Sequence, residues 1–322
     1  MNAILSVKDV INKKIEDSYE LNNNVIEIVP NPVVSIRTST YQHVKYIRQC
    51  IEGVLMQKTT FPFEYIIGED YSTDGTREIV LEYAKNHPNI IRVITANYNV
   101  GAKANGRRCS QAIRGKYVAI CEGDDYWTDP YKLQKQVDVL DANPQYSMCF
   151  HNAYITWESK KKRREFCQHK KLVYNTIDLI EKNWFIPTQS IVYRKSVYEY
   201  EEWMNYVLGG DYALQLFLST KGDIAYINEI MSVYRKNPGS LGAKLKPNYS
   251  TLRTLELLSY FNYYTEFKYD VIVKKRINMM RDALYFSLLM SRPKFIKYLN
   301  IDTYLHVFPK LYAFLKKKYL KM

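Results

Sequence analysis

The sequence has no C-x-x-C pair: its five cysteines (Cys50, Cys109, Cys121, Cys149 and Cys167) are odd in number and widely spaced. Disulfide frameworks and cysteine zinc sites are therefore not expected, and a reducing cytosol is the natural setting. No apolar stretch approaches the roughly 18 residues that a membrane-spanning helix needs, and residues 1–30 hold no apolar run long enough for a signal peptide. The expectation is a soluble or peripheral protein. Glycine-rich phosphate loops are missing too. The first strand turn, "RTSTYQHVKYI", has no glycine, so the G-x-G-x-x-G fingerprint is absent, and no G-x-x-x-x-G-K-[ST] occurs. These absences argue against a dinucleotide-dependent dehydrogenase and a P-loop nucleotidase. There is no internal repeat and no low-complexity segment.

What is present is an ordinary globular composition, 47% apolar and 25% charged, over 322 residues. Two features depart from it: thirty tyrosines and a formal charge of +13. So basic a chain suits an anionic partner such as nucleic acid, anionic lipid or a phosphorylated substrate.

From Pro32 onward the pattern alternates. "VVSIRTS", "FEYIIGED", "IIRVITA" and "KYVAICEG" read as strands. Between them, "HVKYIRQCIEGVLMQ", "GTREIVLEYAKNH" and the segment from Gly101 to Arg114 read as helices. Repeated strand–helix units imply an α/β fold, a mainly parallel sheet covered by helices. Asp74 can cap the second helix, and Asp129-Pro130 is a start signal for "YKLQKQVDVLDAN". Ligands of such sheets bind beyond the carboxyl ends of the strands. There the sequence is chemically loaded: Thr38 to Tyr41 after the first strand, Glu69, Asp70 and Ser72 after the second, and Glu122, Asp124 and Asp125 after the fourth. Three carboxylates at one point repel each other, and a divalent cation is the usual offset. After Asn143 the alternation fades. "KKKRRE" (160–165) reads as a solvated loop, and the stretch from Leu208 to Ser240 as turn, helix, strand and loop.

Four ordered motifs, "VVSIRTSTYQHVKYIRQCI", "YIIGEDYSTDGTREIV", "NVGAKANGRR" and "KYVAICEGDDYWTDPYKLQKQV", resemble those of family 2 glycosyltransferases with the GT-A fold. The likeness is close over about residues 32–150 and looser to about Ser240, and within the family it points to bacterial capsular, O-antigen or exopolysaccharide enzymes. It implies a GT-A domain (32–245, divided into a nucleotide-sugar half at 32–127 and an acceptor half at 128–245) preceded by an N-terminal extension (1–31); beyond Leu245 the sequence pattern itself turns basic, aromatic and helical (246–322). The resemblance implies inverting transfer from a nucleoside-diphosphate sugar, first among them a UDP-sugar, to a glycan or lipid-linked acceptor, aided by Mn2+ or Mg2+. Asp124 falls at the metal-holding position of the D-x-D-type motif, with Glu122 near the metal or ribose and Asp125 beside them. Thr40, Tyr41, Glu69, Asp70, Lys103, Asn105 and Arg235 fall at donor-pocket positions. Asp211, in "LGGDYALQLFL", falls at the general base, the alternative being an N-cap. Arg107 and Arg108 read as phosphate contacts or as surface residues. His151 reads as an acceptor-side residue or an ordinary hydrogen-bonded histidine.

One departure stands out. Many relatives carry Y-R-x-H after the last strand, whereas this chain has Tyr234-Arg235-Lys236-Asn237. That weakens the case for a histidine ligand and shifts phosphate contact to Arg235 and Lys236. Two other readings stay open: a nucleotidyltransferase of related fold, and a non-catalytic binder of anionic lipid or nucleic acid. With the transferase reading, nucleic acid is not an expected partner. Residues 294–322 carry seven lysines against one aspartate, and Leu305, Phe308, Tyr312, Leu315 and Tyr319 mark one apolar helical face. That suits a peripheral helix on the inner face of the cell membrane or a helix packed on the domain.

Overall fold

The computed structural model describes residues 6–21, 29–158, 160–168, 170–182, 184–239 and 247–290. The basic tail from Lys294 onward lies outside the described residues. Two compact units divide at 244/245.

The first unit opens with α1 (Val7–Glu16) and β1 (Tyr19–Glu20). Ser6 and Asp9 form a capping box on α1, Ser6 Oγ accepting from the Asp9 N–H at 3.2 Å. The alternation then runs as expected: β2 (Val34–Thr40), α2 (Ile47–Leu55), β3 (Phe63–Glu69), α3 (Thr76–Asn86), β4 (Ile91–Thr95), α4 (Ala102–Gln111) and β5 (Tyr117–Ile120). Next come β6 (Tyr126–Trp127), α5 (Lys132–Ala142), the long β7 (Tyr146–Trp157), β8 (Lys160–Glu165), β9 (Val173–Tyr174) and α6 (Thr176–Lys182). The unit closes with β10 (Val192–Arg194), α7 (Gly210–Ser219) and β11 (Asp223–Lys236).

Among the described residues one sheet joins eleven strands in the order β1-β4-β3-β2-β5-β10-β7-β11-β6, with β8 on β7 and β9 on β11. β4, β3, β2 and β5 are mutually parallel, as are β7 and β11. β10 lies antiparallel between β5 and β7 and so joins the two halves. The strands that read as continuous apolar runs are buried on both faces, with Val34, Ile36, Tyr65 and Ala119 enclosed on one and Ile66, Val118 and Ile120 on the other. Gly68 marks where α4 rests on β3. A Cβ there would stand 2.3 Å from Asn105 Oδ1 and 2.4 Å from Cys109 Sγ.

Three local readings change. The basic run 160–165 is β8, antiparallel to β7, instead of a loop. The stretch read as the final loop, Tyr234-Arg235-Lys236, is the end of β11, held in parallel register by Ile155, Thr156 and Trp157. Residues 6–20 are built into the domain. β1 pairs with β4, and Glu20 forms a paired ion contact with Arg92 at 2.7 and 2.8 Å. Asp74 does serve the start of α3, accepting from the Thr76 N–H at 3.0 Å one residue ahead of the N-cap Gly75. Asp129 accepts from the Tyr131 N–H at 2.7 Å, in the turn just before α5.

The second unit holds α8 (Pro247–Tyr264) and α9 (Asp270–Met290). Their connection is fixed by Asn262 donating to Asp270 at 2.9 Å and by Phe261 stacking on Tyr269.

Candidate functional site

Chain order reverses around β2: β3 and β4 lie on one side of it and β5 on the other. The crevice outside the carboxyl ends of β2 and β5 is thus the place where an open sheet offers a binding site. β5 delivers Glu122 to Asp125 into that crevice. The loop lies tightly against the end of β2: the Gly123 N–H donates to Ser39 O at 3.0 Å, and a Cβ on Gly123 would meet Thr40 Oγ1 at 2.7 Å and His43 Nδ1 at 2.8 Å. Glycine is required there by space.

The three carboxylates have different environments. Asp125 is 2% exposed and held within the protein. It accepts from the Arg235 N–H at 2.8 Å, and Gln189, with its amide turned to satisfy both neighbours, donates to it at 3.2 Å and accepts from the Tyr234 N–H at 3.1 Å. Burial, reinforced by Asp124, pushes the Asp125 carboxyl well above its ordinary range. Glu122 faces Arg37 at 3.7 Å. Burial raises its carboxyl to about 7, with Arg37 pulling down and Asp211 and Asp124 pushing up. Asp124 is partly exposed. Its Oδ2 accepts from Asn237 Nδ2 at 2.9 Å and its backbone oxygen from Arg235 at 3.0 Å. Asn237, at the position where relatives carry histidine, therefore orients the carboxylate expected to hold metal.

Arg235 lies 4.3 Å over the ring of Tyr126 and 5.3 Å over that of Tyr46, and also meets Gln49. Its guanidinium is fixed at the mouth of the crevice by stacking and hydrogen bonds together. His43 stands at the same mouth, its imidazole depressed by burial while Asp124 and Asp74 pull the other way. Thr40 is buried and shares a 3.2 Å contact with His43, while Tyr41 is 44% exposed.

From the second half of the domain, Asp211 stands on the first turn of α7. The N-cap is Gly209, in the left-handed region at φ 109° and without a side-chain cap, so the alternative reading of Asp211 as N-cap is not met. Its Oδ2 accepts from Thr188 Oγ1 at 2.9 Å. Thr188 is next to Gln189, which ties Asp125 to Tyr234. A continuous set of contacts thus connects the α7 carboxylate to the β5 loop.

The remaining donor-pocket positions turn inward. Asp70 accepts from the N–H groups of Val100 and Gly101 at 2.8 and 3.0 Å. Glu69 accepts from Ser72 and Tyr71 N–H at 2.7 and 3.2 Å and pairs with Arg77 at 3.0 Å. Asn105 is buried, donating to Gly68 O at 2.8 Å. Lys103 reaches the backbone oxygen of Asn205 at 2.5 Å. These residues fix the loops around the crevice. Arg108 is buried, donating to Glu69 O at 2.9 Å, and is not a surface residue. Arg107 donates to Asn12 at 2.9 Å and stacks on Tyr200. His151 is fully buried, its Nδ1 2.7 Å from Asn152 O, and does not line the crevice.

Sequence reasoning missed Arg37, His43, Thr188 and Gln189. Only Arg37 carried a signal, as the lone charge within a buried strand.

Among the described residues, no three His, Cys, Asp or Glu side chains converge to cage a metal. Asp124 fits a different arrangement. Its carboxylate is anchored through one oxygen while its Oδ1 takes no hydrogen bond from the described residues, the donor set of a hard cation shared with phosphate oxygens.

A mixed α/β sheet flanked by helices, with acidic and hydroxyl residues at its switch point, defines the GT-A class of nucleotide-sugar fold. The chain belongs to glycosyl transferase family 2, whose model matches residues 35–200, just over half of it. It is 39% identical over 204 residues to an uncharacterized protein of Mycobacterium tuberculosis, covering 63% of this chain and 59% of that one. It is 36% identical over 109 residues to the putative teichuronic acid biosynthesis glycosyltransferase TuaG of Bacillus subtilis, covering 34% of this chain and 42% of TuaG. The chain thus spans about three fifths or less of the length of these relatives. Among solved structures, S. aureus TarS with UDP-GlcNAc superposes with a TM-score of 0.54 at 17% identity, over 70% of this chain and 66% of that one. The mannosyltransferase PcManGT of Pyrobaculum calidifontis, in complex with GDP-Man and Mn2+, gives 0.52 at 13%, over 97% and 93%. At these identities the superpositions speak for the fold.

Proposed function

We propose that the protein transfers a sugar, with inversion, from a nucleoside-diphosphate donor to a hydroxyl of a glycan or lipid-linked acceptor in surface polysaccharide synthesis. The observation that carries this reading is the connection of two separate acidic elements at one crevice: the β5 loop with Asp124, and Asp211 through Thr188 and Gln189. A UDP-sugar is the first donor to test. The donor would lie across the ends of β2, β3 and β5, between Thr40 and Tyr41 on one side and loops shaped by Glu69, Asp70, Lys103 and Asn105 on the other. Asp124, with Glu122 beside it, would hold Mn2+ or Mg2+ against the diphosphate. When bound, such a cation neutralises charge that grows on the leaving diphosphate. Arg235 would add a fixed positive charge on the same side.

Asp211 would take the proton from the acceptor hydroxyl as its oxygen bonds to the anomeric carbon and the bond to the diphosphate breaks. Thr188 fixes one carboxylate oxygen and leaves the other for that proton. No described helix is long and apolar enough to cross a membrane. A cytoplasmic location, peripheral on the inner membrane face, remains part of this proposal. Incubation with a panel of nucleotide sugars and an acceptor extract, reading nucleotide release, tests the reading. Release by the wild type and its loss in Asp211→Asn is expected; equal release by both would overturn Asp211 as the base.

A further inference from the structure

Beyond Asp211 the acceptor side of the sheet carries a feature that general sugar transfer does not require. Phe166, Trp184 and Tyr234 form a three-ring cluster, with centroids 5.2, 5.6 and 5.8 Å apart and each pair close to edge-on. All three are partly exposed. The Tyr234 N–H is bonded to Gln189, neighbour of the Thr188 that holds Asp211, so the cluster adjoins the proposed base.

Side chains two apart on a strand share a face, about 7 Å along. Lys236 therefore follows Tyr234 on the same face of β11. Its register partner is Trp157 of β7, and its ammonium stands 5.8 Å from the Trp157 ring. From the opposite side β8 brings Arg164, paired with Ile155, to 5.6 Å from the same ring. Arg163, on the other face of the ribbon, lies 3.8 Å over Tyr154. Arg163, Arg164 and Lys236 are exposed, and none has a carboxylate within ion-pair distance among the described residues. Glu165, next to Arg164 in sequence, pairs with Tyr154 on the other face of the ribbon and accepts from Asn152 at 3.4 Å, and Glu158, next to Trp157, is engaged by Lys45 at 3.6 Å and by the Tyr46 hydroxyl at 2.8 Å. Two exposed cations thus flank one indole with no ion-paired acid among the described residues, an arrangement that favours an anion.

We infer that the acceptor is a negatively charged glycan, with one sugar against the Tyr234–Trp184–Phe166 rings and its anionic group between Arg164 and Lys236 at Trp157. This rests on the glycosyltransferase reading and adds the acceptor's chemical class to it. Carboxylate and phosphate share the chemistry that Arg164 offers, a planar fork for a bidentate oxyanion.

The test is direct binding to the full chain, followed by tryptophan fluorescence at low salt. The probes are a galacturonic acid tetramer, a glycerol phosphate oligomer of similar length, and neutral maltotetraose. UDP binding is measured in parallel. Saturable binding of at least one anionic probe, at least roughly tenfold tighter than maltotetraose, is expected; which probe binds identifies the group. Arg164→Glu should weaken that binding roughly tenfold or more, with melting temperature and UDP affinity unchanged. Equal affinity for neutral and anionic probes, no binding of either anionic probe, or an Arg164→Glu variant that binds like the wild type would overturn the inference. So would displacement of the bound probe by anionic phospholipid vesicles but not by neutral ones, which would make this face a lipid surface. Absence of UDP binding by the wild type would instead count against the transferase reading itself.

Discussion

Asp124 and Asp125 are chemically identical neighbours that the fold treats in opposite ways. Asp125 spends its oxygens on Arg235 and Gln189 and is sealed from solvent; Asp124 is tied through Asn237 and Arg235 and presents itself to the crevice. We predict that Asp124→Asn abolishes transfer and the thermal stabilisation by Mn2+, yet changes stability without metal by less than about 0.5 kcal/mol, the usual range for sites away from the core. Thermal melts with and without metal check this. Asp211→Asn should lower turnover about a hundredfold or more while leaving donor affinity unchanged, because the asparagine oxygen still accepts from Thr188. A fall in stability without a fall in turnover would contradict it.

Lys132 gives a pH-dependent counterpart within the core. Its ammonium is fully buried 3.9 Å from the Trp127 ring, has no hydrogen-bond partner among the described residues, and is pulled down to about 7 by burial. The unfolded chain therefore binds a proton that the folded chain does not between pH 7 and about 10. Stability from this group rises with pH through that window, by at most about 1.4 kcal/mol per unit. Lys132→Met should remove the slope and be the more stable form near pH 7, as denaturant titrations across pH would show. An identical pH dependence in both proteins would contradict the assignment. At this scale the carboxylates of the β5 loop were legible because three acids in four residues at a strand end are conspicuous. Gln189 and His43 were not legible, since a single polar residue reveals its role only when folding brings its partner near.

Elements were legible wherever a buried run was flanked by helical periodicity. β2, β3, β4 and β5 coincide with their apolar runs, and α2 and α3 with segments in which every third or fourth residue is apolar, whereas α4, mostly polar, was legible only from the alternation around it. β8 was not, because its side chains are charged and its pairing comes from β7, which the local pattern does not mention. Residues 6–20 were missed for the same reason: a two-residue strand becomes visible only through its partner β4 and the Arg92–Glu20 contact. Packing between elements is tightest where α4 meets β3. Gly68→Ala would drive a methyl into Asn105 and Cys109, both buried, and lift α4 from the sheet. We predict a loss of about 1–3 kcal/mol, the usual cost of overpacking, read as a lower denaturant midpoint. A midpoint within error of the wild type would show that α4 yields without cost.

For the whole molecule, the parallel half of the sheet and its switch point follow from the order of strands and helices. The second half combines parallel β11 with antiparallel β10 and depends on long-range pairings that no short window contains. Seen whole, the site draws one acidic loop from the first half and one helix start from the second, joined by Thr188 and Gln189 just ahead of β10. The central claim is that the acidic loop of this site holds a nucleoside diphosphate through a divalent cation, and nucleotide binding coupled to metal bears on it first. Calorimetric titration of UDP into the wild type and into Asp124→Asn, each with Mn2+ and with excess chelator, is the measurement. We predict that Mn2+ tightens wild-type binding at least roughly tenfold, about 1.4 kcal/mol, and leaves Asp124→Asn unaffected. Wild-type affinity that ignores the metal, or a variant that keeps the full metal effect, would contradict it.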